Sequence, residues 1–139
     1  MSTYRPVAVR VATAAALAGL LVIGGVVWAV LPASIQATVT LEQRVTIVVA
    51  VLGTAVLLNG LARSRVTTDA DGLTVVNGYR THRVRWDEVE SIGIGRSAPW
   101  AVLERVDGDS LQVMAVQTAD GARAQAALDT LRAELTASR

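Results

Sequence analysis

Arg80, Arg83 and Arg85 crowd one short stretch, YRTHRVRW, the densest concentration of positive charge in the chain. Guanidinium groups at this spacing hold anions, either carboxylates of a protein or phosphates of a membrane surface. On an extended strand Arg83 and Arg85 share a face with Tyr79 and Thr81, while Arg80, His82, Val84 and Trp86 share the other. The ordinary use of such a face is cross-strand ion pairing with neighbours such as Glu104. The functional use is contact with a partner or with anionic headgroups.

Other constellations resolve into structure rather than chemistry. Asp69-x-Asp71-Gly72 opens like a calcium loop, yet an EF-hand requires a third ligand before the glycine and a glutamate at the twelfth position. Arg80 stands there, so the segment reads as a turn. Gly93-x-Gly95-x-x-Ala98 imitates a dinucleotide fingerprint, but Pro99 follows and no helix opens. His82 is the one histidine, and cysteine is absent, which leaves no thiolate chemistry and no histidine pair for a metal. Asp87, Glu88 and Glu90 read as a solvated turn, since general acid–base work requires a pocket. The expectation is a chain with no catalytic residue, no metal site and no cofactor.

The elements that must position these residues begin with two apolar runs, 11–31 and 45–62, each close to the about 20 residues that cross a bilayer. Arg10 precedes the first; Arg44 and Arg63 bound the second. The runs could instead be buried helices of a soluble bundle, but VATAAALAGLLVIGGVVWAVL lacks the polar stripe such a helix carries. The first run could also be a signal-peptide core. It is longer than the usual about 7–15 residues, and LPASIQAT is a poor cleavage site.

Tyr4 and Trp28 are placed for the headgroup layers at the ends of the first span. Pro32 stops that helix. PASIQATV reads as a short loop, and Thr40 with Gln43 makes a capping box that starts the second helix near Leu41. Arginines 5, 10, 63 and 65 flank the outer ends, against Arg44 and Glu42 near the connection, so the positive-inside rule puts both termini in the cytoplasm. Small residues four apart, at Ala15/Gly19, Gly25/Ala29 and Ala50/Thr54, suit packing of the spans against each other, or self-association. Asn59, near the end of the second span, suits a headgroup contact.

After residue 62 the period changes. RVTTD, LTVVN, YRTHRVRW, VESIGIG, WAVLERV and SLQVMAV read as six short strands, with hairpin turns at Asn77-Gly78 and at Asp107-Gly108-Asp109. A closing helix, capped by Thr118 or Asp120, carries the stripe Ala124, Ala127 or Leu128, Leu131, Leu135. Trp86 and Val89 are expected in the core with Leu128 and Leu131. Of the 13 basic residues Arg5, Arg10 and Arg44 precede residue 63, leaving ten; of the 12 acidic ones only Glu42 does, leaving eleven. The polar half therefore lacks the basic field that nucleic acid requires.

The stretch VTTDADGLTVVNGYRTHRVRWDEVESIGIG, with its Asp71-Gly72-Leu73 turn, basic third strand and Trp86-Asp87-Glu88-Val89 unit, resembles the bacterial pleckstrin-homology-like domains. The two preceding spans make it similar to the actinobacterial two-span proteins of the low-molecular-weight protein antigen type. The resemblance implies a two-helix transmembrane hairpin (1–62) followed by a PH-like domain (63–139). That domain would be a curved, partly open antiparallel barrel of about six strands capped by a C-terminal helix. It brings no catalytic residue, and the acidic first hairpin departs from relatives that hold phosphoinositides there.

The function expected is a membrane-anchored, non-catalytic interaction module in a bacterial inner membrane, docking a protein partner on the cytoplasmic face. An accessory subunit of a larger membrane complex, or peripheral recognition of anionic headgroups, are the alternatives.

Overall fold

Uncharged apolar sequence with no period-two alternation satisfies its backbone internally as helix, and the N-terminal half does so. The computed structural model describes residues 3–139. Helix α1 runs Val7–Val30 and helix α3 runs Leu41–Arg63. Each is long and apolar enough to cross a bilayer; at 1.5 Å per residue each spans roughly 35 Å. α1 buries no residue and α3 only Gly60, unlike helices inside a soluble bundle. α1 starts at Val7 rather than at residue 11, because Pro6 occupies the position before it and Arg10 fits its exposed side.

The connection is not a loop. Ala33–Thr38 form a short helix, α2, with Pro32 at its start. Gln36 explains it: its Nε2 donates to the carbonyls of Trp28 (2.9 Å) and Leu31 (3.1 Å), closing the end of α1. Arg44 lies over the Trp28 ring at 5.4 Å. The capping box at Thr40 and Gln43 is formed as expected, with both reciprocal bonds present. The two long helices touch each other, yet a methyl group added at Gly19, Gly24, Gly25 or Gly53 would meet nothing within 4 Å. Close approach of the helices therefore does not use those glycines.

The six expected strands are β2 (Arg65–Thr68), β3 (Gly72–Asn77), β4 (Arg80–Arg85), β5 (Val89–Gly93), β6 (Trp100–Arg105) and β7 (Ser110–Gln117), followed by helix α4 (Ala122–Ala137). A seventh, β1 (Thr3–Tyr4), comes from the N-terminal tail. The antiparallel sheets have orders β1-β2-β3-β4 and β5-β6-β7. Tyr4, expected at the end of the first span, pairs with Val66 and packs against the domain core, and Pro6 is fully buried.

The β3–β4 turn lies one residue later than its sequence signal. Asn77 pairs with Arg80, so the two-residue loop is Gly78-Tyr79, and Gly78 adopts φ +62°. Glycine first is the type II′ pattern, which leaves the second position free for an ordinary side chain. Asn77 is released from the turn to join the sheets: it donates to Gln112 O and accepts from Met114 N on β7.

Val66, Leu73, Val75, Val84, Trp86 and Val89 form one buried cluster with Leu103, Val113, Leu128 and Leu131. The α4 stripe is buried as the sequence implies, at Ala124, Ala127, Leu128, Leu131 and Leu135. Its start is not capped by Thr118 or Asp120. Those residues form a 3-10 helix, Gly121 takes the cap position, and both side chains point elsewhere: Thr118 Oγ1 donates to Ala98 O and Asp120 Oδ1 accepts from Ala8 N.

Candidate interaction surface

The basic strand is β4, and its residues 80–83 are all exposed, with Val84 turned into the core. The sequence places Arg80, Arg83 and Arg85 on that strand, and the structure adds their partners. Arg83 Nη2 stands 3.1 Å from Asp69 Oδ2 and 3.9 Å from Asp71 Oδ2. Arg85 Nη2 stands 3.0 Å from Asp87 Oδ2. Glu104 pairs with neither: it lies on β6 of the other sheet, where Ser91 Oγ donates to it across β5–β6 at 2.9 Å. The charge of the strand is therefore largely answered by the acidic turn before β3 and by the turn after β4. Among the described residues Arg80 has no ion pair.

The acidic turn is a structural Asx turn. Asp69 Oδ1 accepts from the backbone N–H groups of Asp71 and Gly72, both at 3.0 Å, and its Oδ2 takes Arg83. Both carboxylate oxygens are thus engaged by the protein itself. Trp86 ties this turn to the core: its indole N–H donates to Asp69 O (3.1 Å) and its backbone N–H to Asp71 O (3.1 Å). The ring is 6% exposed and anchors the end of β4.

The two sheets end differently. The outer side of β5 is covered by arginines, with Arg132 Nε donating to Ile92 O and Arg139 to Glu90 O, both at 2.9 Å. β4 is the outer strand of its sheet, and a groove of about 650 Å³ runs beside it. Residues 81–84 form one bank, and Arg105 with residues 109–111 the other. An uncovered strand edge beside a groove presents unpaired backbone N–H and C=O groups to an extended chain.

The chain matches the model of the bacterial PH domain over residues 63–134. It belongs to the bacterial PH domain family. It is also similar to uncharacterized proteins of Mycobacterium tuberculosis (strain H37Rv) and Mycobacterium bovis, at 39% identity over 85 residues in each case. That alignment covers 61% of this chain and 54% of each relative, so it spans about half the length of the curated relatives it matches. No solved structure matches.

Sequence reasoning missed the features that set this PH domain on its helices. Tyr79, expected on a strand face, is a turn residue: its O–H donates to Val56 O (2.9 Å) and accepts from Asn59 Nδ2 (3.0 Å). Asn59 therefore helps to hold the domain. Arg63 lies over the Tyr79 ring at 5.4 Å, and a Cβ at Gly60 would come within 2.9 Å of Tyr79 Cε2. Only glycine lets the ring lie that close. The turn signal at Asn77-Gly78 was legible, but not the helix it would rest on.

Proposed function

We propose that this bacterial PH domain is a membrane-anchored, non-catalytic interaction module. α1 and α3 cross the bilayer as a hairpin, both termini face the cytoplasm, and the β4 edge receives an extended segment of a protein partner as an added strand. The observation that carries this reading is the uncovered β4 edge beside its groove, in a domain whose β5 edge is already closed by Arg132 and Arg139. Arg80, which has no ion pair among the described residues, favours acidic side chains on that segment.

A photo-crosslinking side chain at Thr81 of the full chain in its membrane tests the docking edge, with one at exposed Val106 as control. The adduct at Thr81 should map to an extended acidic segment, and a peptide of that segment should slow amide exchange along β4. Contacts mapping to α1 and α3 instead would favour the accessory-subunit reading.

A further inference from the structure

Four arginines meet where the PH domain joins its helices. Arg5 and Arg10 come from the tail and first turns of α1, Arg63 from the end of α3, and Arg65 from the start of β2. Together with Asn59 and Ala62 they line a cavity of about 280 Å³. Among the described residues none of the four forms an ion pair; the pairs present use Arg83, Arg85 and Arg105.

The fold holds these charges together. Tyr4 pairs with Val66, and continuing that register by one residue sets Arg5 opposite Arg65. Pro6, fully buried, fixes the tail between Arg5 and α1. Arg63 is held over the Tyr79 ring, whose hydroxyl is tied to Val56 and Asn59. Like charges opposite each other on paired strands repel. The protein therefore assembles four cations that have no ion-pair partner among the described residues, and a bound anion relieves the repulsion.

We propose that Arg5, Arg10, Arg63 and Arg65 form a site for the phosphate of an anionic phospholipid from the leaflet facing the domain. The proposal rests on the reading of α1 and α3 as spans, which puts the cavity at the headgroup layer. Guanidinium forks match phosphate oxygens bidentately. The β4 arginines, already paired with carboxylates, are the poorer site.

The test uses the full chain in nanodiscs of phosphatidylcholine alone or mixed with phosphatidylglycerol, read by thermal unfolding and by lipid retention in native mass spectrometry. Retention should favour phosphatidylglycerol by at least about tenfold, the scale of two or more arginines at an anionic surface. Arg5→Gln/Arg65→Gln should abolish the preference, and in phosphatidylcholine alone it should melt no lower than the wild type because the repulsion is gone. Arg5→Lys/Arg65→Lys should keep part of it, because the charge stays and the fork is lost, and Arg83→Gln/Arg85→Gln should keep it whole. Should the glutamine pair fail to fold, Arg10→Gln must weaken the preference several-fold.

Equal retention of both lipids overturns the site, as does loss of the preference in Arg83→Gln/Arg85→Gln but not in Arg5→Gln/Arg65→Gln. Millimolar inorganic phosphate that raises the melting temperature in phosphatidylcholine as much as phosphatidylglycerol does would assign the cavity to a free anion and overturn the lipid. A chain that never enters the discs overturns the spans and the site together; entry without preference overturns the site alone.

Discussion

Asp120 Oδ1 accepts a 2.8 Å hydrogen bond from the backbone N–H of Ala8, a residue 112 positions earlier in the chain. Ala8 lies in the first turn of α1, where helix N–H groups lack internal partners. Asp120 therefore caps the first long helix from inside the PH domain, and its negative charge also suits the positive end of the helix dipole.

Replacing Asp120 with alanine should destabilise the full chain in mild detergent by about 1–2 kcal/mol, the range of a lost N-cap. Asparagine, which keeps the acceptor, should recover most of it. Urea unfolding followed by tryptophan fluorescence measures both.

Trp86→Ala should cost about 3–5 kcal/mol in the same assay, since it empties a core site. Trp86→Phe keeps most of the volume but frees the carbonyl of Asp69, and should cost less, with about 1 kcal/mol from the lost hydrogen bond. A fluorescence signal from the other tryptophans, Trp28 and Trp100, keeps both variants measurable.

Tyr79→Phe removes the hydroxyl that joins Val56 and Asn59 while keeping the ring under Arg63, whereas Tyr79→Ala removes the whole contact. The alanine variant should leave the domain folded but let it move against α3. Spin labels at Leu57 and Thr81 should report a broadened distance distribution for alanine and a nearly unchanged one for phenylalanine.

Arg83→Gln and Arg85→Gln should change stability by no more than about 0.5 kcal/mol, because their ion pairs are exposed; the Arg83–Asp69 side chains are 61% and 38% accessible. Partner capture at Thr81 should fall in Arg80→Gln while thermal unfolding stays in place.

Reporters fused at the two ends should share one compartment, and on the orientation proposed from the arginine flanks that compartment should be the cytoplasm. The pairing of Thr3 with Thr67 already puts the N-terminal tail beside the domain. Periplasmic activity from both fusions would reverse the orientation and leave the hairpin intact.

Features set by local pattern were legible in the sequence. The Thr40–Gln43 box, the α4 stripe and the burial of Trp86 all follow from spacing within a few residues. The hairpin glycine was legible as well, although its register slipped by one because Asn77 is used across the barrel instead of in the turn. Hidden from sequence were contacts between distant segments: Asp120 with Ala8, Tyr79 with Asn59, and the two-residue strand β1, too short to show a period. The β4 arginines stood out because they are close in sequence. The four at the junction, legible only as orientation signals, come from separate elements that folding brings together.

Ser64 alone separates α3 from β2; it is buried, and its hydroxyl accepts from Gly78 N at 3.3 Å. With the tail fastened through β1, Pro6 and Asp120, the domain hangs from two points instead of one leash. Such a suspension removes the swivelling that a single flexible tether would leave. On the proposed docking, a segment adding to β4 would meet a receptor whose height and heading were fixed at folding, with the rotational freedom normally lost on association already gone on this side.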